Sequence, residues 1–350
     1  MVLARAPLVT AKTKSMTHRA KISLLAILLT AVFIGLVYCF EVFLAYSQWS
    51  RVQKHLSQFG ITESREDAAK RLGAKVSVNC KWYFALNATP PDNYPIATWP
   101  SSKMIGYKEG DGSEWPLHTT DRFGYFNDDA WWVSPYAVIV GDSFVTCEHL
   151  QTNSITKAFR RHGIPAVNVG ITGSGPLVSL AALKAQWPII SNSVRVIIWT
   201  VYDGNDYQDA MEEWSVPKFR EALHSTPSPN PSLLASLPKN DQALYGWKYA
   251  VWSVLSLKRT RLVFRSFSGM DPGVRVWNDC ISEAEKMCPN IILVRIPKIG
   301  FEQQKSWSQL KAHKKVEMPS DSKLFSNGWV LSHLNHTGYE TMADIVINKL

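Results

Sequence analysis

No aspartate or glutamate occurs in the first forty residues, and from Ile22 to Phe40 the chain has no charged side chain of either sign. Nineteen uncharged, largely apolar residues exclude an ordinary solvated helix. At about 1.5 Å per residue they are long enough to cross a hydrocarbon core. Cysteine is scarce, at five in 350 residues, and no Cys-x-x-Cys or His-Glu-x-x-His spacing occurs, so nothing calls for a metal centre. No internal repeat is present, which argues against a solenoid or propeller. A dominant basic surface is missing too. Of the net charge of +9, five units belong to Arg5, Lys12, Lys14, Arg19 and Lys21, and the remainder holds 33 basic against 29 acidic residues. No nucleic-acid partner is needed to explain that balance.

What is present at the N-terminus reads as an anchor. A cleaved signal peptide has an apolar core of only about 7 to 15 residues ending at small side chains. Here Glu41 interrupts the run and apolar Val42 to Tyr46 continues it, so residues 22–46 are expected to form one uncleaved transmembrane helix. The acid-free basic tail, residues 1–21, is expected on the cytoplasmic side by the positive-inside rule, with the body of the chain periplasmic or extracellular. Residues 47–118 read as a stalk and cover segment. Ser47–Leu72 looks helical, Lys75–Leu86 strand-like, and Pro90–Pro116 irregular because it is rich in Pro, Trp and Gly.

The main signal for chemistry lies at Val138–Phe144, Val-Ile-Val-Gly-Asp-Ser-Phe. A short β-branched run of this kind predicts a buried parallel strand, and Gly141 permits a sharp turn that leaves Ser143 beyond the strand's carboxyl end, where open α/β sheets bind ligands. Gly-Asp-Ser alone is also ordinary turn chemistry. Three further segments follow in order: Val167–Gly173; Val194–Asp206, which ends in Asp-Gly-Asn-Asp; and Ser332-His333-Leu334-Asn335 before a terminal helix. Helices near 148–162 and 176–187 and a strand at Ile291–Ile296 complete an alternating pattern that predicts an α/β doubly wound parallel sheet. Between Asn205 and His333 lie 127 residues, so an insertion is expected at about 207–275, with a Pro- and Ser-rich loop at Ser225–Pro238 and helical spacing over Asp241–Phe264.

With these blocks in place, the chain resembles the SGNH (GDSL-type) hydrolase family, and more closely its membrane-anchored bacterial members, over roughly residues 119–350. Thr120–Asn127 is similar to the lead-in segment of those members. The resemblance implies a three-layer, flavodoxin-like fold. It also implies a nucleophile at Ser143, a base at His333, and an oxyanion hole from the backbone N–H groups of Ser143 and Gly173 with the Asn205 amide. No cofactor is implied. The family usually places an aspartate three residues before its histidine, but position 330 here is valine, flanked by Trp329 and Leu331. A Ser-His dyad remains open, with Asp142, Asp206 and Asp321 as candidate supporting acids and His336 as a rival base. Asp142 and Asp206 read first as loop braces.

The implied activity is hydrolysis of O-acyl esters, acetyl foremost, on carbohydrate or lipid through an acyl-serine. The alternatives are O-acyl transfer to an envelope polysaccharide, with a membrane partner donating the acyl group, or a non-catalytic binding role suggested by the missing aspartate. Cys39 falls in the membrane segment. Cys80, Cys147, Cys280 and Cys288 form an even set that an oxidising compartment could pair as Cys280–Cys288 and Cys80–Cys147; they read equally well as small buried hydrophobes. The acceptor patterns at Asn87 and Asn335 are read as unmodified, since a glycan at Asn335 would obstruct His333.

Overall fold

The computed structural model describes residues 18–58, 63, 65–76, 98, 100–106, 115–146, 155–221, 223–226, 273–298, 304–326 and 333–350. The expected Cys80–Cys147 bridge, most of the Ser225–Pro238 loop and the helical stretch Asp241–Phe264 lie outside them.

The N-terminal apolar run and the expected stalk join in one continuous helix, α1 (His18–Gln58), in which Leu25–Phe43 has a mean hydropathy of 2.4 and is long and apolar enough to cross a membrane. Its Leu28, Leu29, Phe33 and Leu36 are exposed, so packing within the chain does not account for their apolar character.

After α2 (Arg65–Leu72), strands β1 (Lys75–Val76), β2 (Lys103–Ile105) and β3 (Leu117–Thr119) form a small sheet in the order β1-β2-β3. β2 lies within the segment expected to be irregular, and β3 runs across the expected boundary at 118/119. The lead-in segment then wraps around Asp121. This carboxylate accepts N–H bonds from Phe123, Tyr125, the Asn127 amide and the Trp132 indole, all within 2.9 Å. Burial raises the Asp121 carboxyl above its ordinary range, and the four donors pull it partly back. Asn127 bonds in turn to the backbone N–H and C=O of Asn168, tying the segment to the main sheet.

That sheet is built from β4 (Ala137–Val140), β5 (Ala166–Asn168), β6 (Val196–Tyr202), β7 (Ile291–Ile296) and β8 (Lys314–Glu317), all parallel, in the order β5-β4-β6-β7-β8. The central strands are buried on both faces, which is why β4, β6 and β7 are continuous apolar runs. One face packs against α5 (Pro176–Ile190), α6 (Asp206–Trp214) and α8 (Gly273–Met287), with Trp199 and Trp277 at its centre. The other packs against α3 (Ser143–Thr146), α4 (Ile155–Arg161) and the terminal α10 (His336–Ile347). The short α7 (Pro217–Glu221) and α9 (Gln304–Ser308) complete the α-helices among the described residues. The chain passes from β4 outward to β5, then returns past β4 to β6. That reversal makes a topological switch point between β4 and β6, where sheets of this type open a crevice.

One expectation is corrected. Cys280 and Cys288 are both free thiols, buried in the core against the α5 and α6 side of the sheet. Eight residues of helix separate sulfur-bearing positions by about 12 Å, far beyond disulfide reach, and the chain does not fold back to close the gap.

Candidate functional site

Three loops leave the carboxyl ends of β4, β5 and β6 side by side. The first turns at Gly141, where an added Cβ would lie 2.0 Å from the Thr200 hydroxyl oxygen, so only glycine lets β4 and β6 approach this closely at the crevice. Ser143 follows as the first residue of α3, and its Oγ lies 2.7 Å from His333 Nε2. Asp142 Oδ1 accepts the Phe144 N–H at 3.0 Å, and its Oδ2 is 3.4 Å from Ser143 Oγ, a weak contact beside the serine-histidine bond. Burial raises the Asp142 carboxyl above its usual range; the Phe144 N–H and the charge of His333 lower it, and Asp209 raises it further. The principal hydrogen bond of Asp142, to the Phe144 N–H, braces the turn.

The second loop carries Gly173 in the left-handed region, at φ +71°. The N–H groups of Ser143 and Gly173 find no acceptor among the described residues. The third loop carries Asn205, the N-cap of α6, whose Nδ2 donates to Asp209 Oδ2 at 2.5 Å. Asp206 is buried and accepts the Tyr202 N–H at 2.8 Å, a loop brace as expected.

His333 reaches the crevice from the far end of the chain. Its carbonyl accepts the Ser326 N–H, Leu334 bridges to Phe325, and the Asn335 side chain donates to Lys323 and Phe325 carbonyls while capping α10. The imidazole stacks at a tilt on Phe144, with ring centres 4.8 Å apart, and Phe144 leans on Tyr202 at 4.3 Å. Asp321 does not join this group; it is exposed and caps a 3-10 turn through the Lys323 N–H. His336 is exposed at the start of α10, with Nδ1 3.9 Å from Glu340. The structure thus brings together Ser143, His333 and Asp142 and leaves the rival histidine elsewhere. Sequence reasoning passed over Asp209 and Glu213; their signal was the spacing Asn205, Asp209, Glu213, four residues apart each time.

No group of three or more His, Cys, Asp or Glu side chains among the described residues is arranged to hold a metal ion. As it stands, the site offers a hydroxyl against an imidazole, two open backbone donors on neighbouring loops, and an oriented amide.

Comparison with protein-family models gives no match. Comparison with curated proteins gives none either. Among solved structures, the chain is similar to a family two carbohydrate esterase from Clostridium thermocellum solved with cellohexaose, at 11% identity and a TM-score of 0.35, over 61% of this chain and 63% of that one. It is also similar to an acetyl xylan esterase from the rumen bacterium Butyrivibrio proteoclasticus, at 10% identity and a TM-score of 0.35, over 67% of this chain and 66% of that one. The chain spans just under two thirds of the length of each.

Proposed function

We propose that this chain is a serine esterase of the SGNH type, acting on O-acyl esters of carbohydrate, with acetyl the foremost acyl group. The observation that carries the reading is the 2.7 Å contact of Ser143 Oγ with His333 Nε2 at the switch point of the sheet. In this reading His333 Nε2 takes the Ser143 proton as Oγ bonds to the ester carbonyl carbon. The electron pair displaced onto the carbonyl oxygen is met by the Ser143 and Gly173 N–H groups and the Asn205 amide. Such prepositioned donors are worth about 2.7 to 4 kcal/mol of barrier each. Collapse of the tetrahedral adduct breaks the C–O bond to the sugar, which leaves as an alcohol with the proton from Nε2. Water, deprotonated by the same nitrogen, then releases the acid and frees Ser143. Asp142 supplies negative charge near His333, a partial replacement for the carboxylate absent at position 330.

The apolar stretch Leu25–Phe43 supports an uncleaved anchor, with the basic tail on the cytoplasmic side and the site outside the membrane. In the test, detergent-purified full-length chain is exposed to a fluorophosphonate probe and to p-nitrophenyl acetate. Labelling and hydrolysis that disappear in Ser143→Ala support the reading; a folded wild type that neither labels nor hydrolyses overturns it. With an acetylated donor and a free oligosaccharide, release of acetate marks a hydrolase, whereas acetylated oligosaccharide marks a transferase.

A further inference from the structure

Asn205, Asp209 and Glu213 recur at intervals of four along α6, which stacks them on one face of the helix. Asp209 takes one of the two amide hydrogens of Asn205. An asparagine side chain can present either its NH2 or its oxygen to a crevice, and an acceptor-only carboxylate on one side fixes which. With Asp209 in place, Nδ2 is fixed as the donor, and none of the described residues takes its second hydrogen. Glu213, fully buried one turn further on, accepts the N–H groups of Gly175, Leu177 and Val178 at 2.5, 2.9 and 3.2 Å. These belong to the start of α5, where unpaired donors and the helix dipole favour a negative charge. The helix also touches the loop directly: a Cβ added at Gly175 would lie 2.9 Å from the Asp209 carbonyl carbon and 3.0 Å from Ala210 N. The loop that carries Gly173 is therefore clamped to the helix that carries Asn205.

Helix capping alone accounts for Glu213 but not for Asp209. Asp209 Oδ2 meets Asn205 Nδ2 at 2.5 Å, a contact made to the amide rather than to the start of α5. We propose that Asp209 and Glu213 are positioning residues: Asp209 sets the donor face of the Asn205 amide, and Glu213 holds the Gly173 loop, so that one face of α6 fixes both remote parts of the oxyanion hole. This rests on the esterase reading above.

The test is a double-mutant cycle on the full-length chain, read as kcat and KM for p-nitrophenyl acetate with a thermal melt of each variant. Asp209→Ala is expected to lower kcat by about 10²-fold with little change in KM, the size typical of misplacing a group by about 1 Å. Because Asp209 acts through Asn205, adding Asp209→Ala to Asn205→Ala should cost nothing further. Asp209→Asn keeps an acceptor oxygen and should recover most of the activity. Glu213→Gln acts through a different donor, so its loss should multiply with that of Asn205→Ala. Multiplying losses for Asp209 and Asn205, or a change confined to melting temperature, would overturn the assignment of Asp209. If Asp209→Ala does not fold, Asp209→Ser takes its place in the cycle, and failure of both to fold overturns the proposal by making Asp209 structural. A wild type without labelling or hydrolysis overturns the esterase reading and this inference together; an active wild type with the wrong cycle overturns the inference alone.

Discussion

Two polar clusters stand on the same carboxyl edge of the main sheet, and a single turn feeds both. In Tyr202–Asp206, Asp203 leans toward β7, where its Oδ2 receives Arg295 Nε at 2.9 Å and a terminal nitrogen at 2.8 Å; Arg295 also meets Glu317, which accepts the Trp307 indole N–H. Two residues later Asn205 caps α6 and donates to Asp209. In the β7–β8 cluster Arg295 faces two anions, and Asp203 Oδ1 is buried without a hydrogen-bond partner among the described residues. Burial raises the Asp203 carboxyl, and Arg295 draws it back. The β4–β5 cluster instead leaves donors open. Arg295, 6% exposed, and Asp203 are buried, whereas Ser143, Gly173, Asn205 and His333 are each half-buried, so the site is the more open of the two clusters. A further difference lies in charge pairing: Arg295 is met by two carboxylates, whereas the Ser143 and Gly173 N–H groups find no acceptor among the described residues.

The sharpest way to break that contrast is Ser143→Ala or His333→Ala. Either is expected to reduce kcat by about 10⁴- to 10⁶-fold while leaving the melting temperature near wild type. A large loss of stability instead would make the pair part of the scaffold. The opposite signature is expected from Arg295→Met, which leaves buried Asp203 without its counter-charge. Chemical denaturation should show a loss of about 3 to 5 kcal/mol, with kcat of the folded fraction near wild type; a collapse of kcat in folded protein would merge the two clusters into one. Asn205→Ala should lower kcat by about 10²- to 10³-fold, whereas His336→Ala should change little in the same assay. The smallest effect is expected from Asp142→Asn. Removing negative charge near His333 favours its neutral, proton-accepting form, so the acidic limb of the kcat/KM profile should move to lower pH. A shift to higher pH, or none, would remove Asp142 from the electrostatics of the site.

The central strands were legible because burial on both faces writes them as unbroken apolar runs, as in Val196–Tyr202. β8 was not legible. Lys-Lys-Val-Glu holds one apolar residue, as an edge strand can, and its Glu317 is explained by Arg295 on the neighbouring strand and by the Trp307 indole. β2 and β3 were hidden by their length of three residues each. In the candidate site, Ser143 and His333 each sit in a short ordered block, and the structure brings their side chains together. Asp209 and Glu213 were passed over inside the stretch expected as an insertion, since nothing local reveals that one face of this helix turns inward onto another loop. The paired reading of Cys280 and Cys288 came from an even count, which carries no distance information; the helix between them supplied it.

The stacking of Asn205, Asp209 and Glu213 also limits how this chain can vary in length. A residue inserted between positions 205 and 213 would rotate Glu213 by about 100° around the axis and advance it by about 1.5 Å, carrying it off the α5 N-terminus. The helix thus works as a ruler with two fixed marks. Asp206–Trp214 thus gives the first residues of the stretch 207–275, read from chain length as an insertion, a fixed helical register. Homologous chains that add or lose residues there should do so only past the second mark.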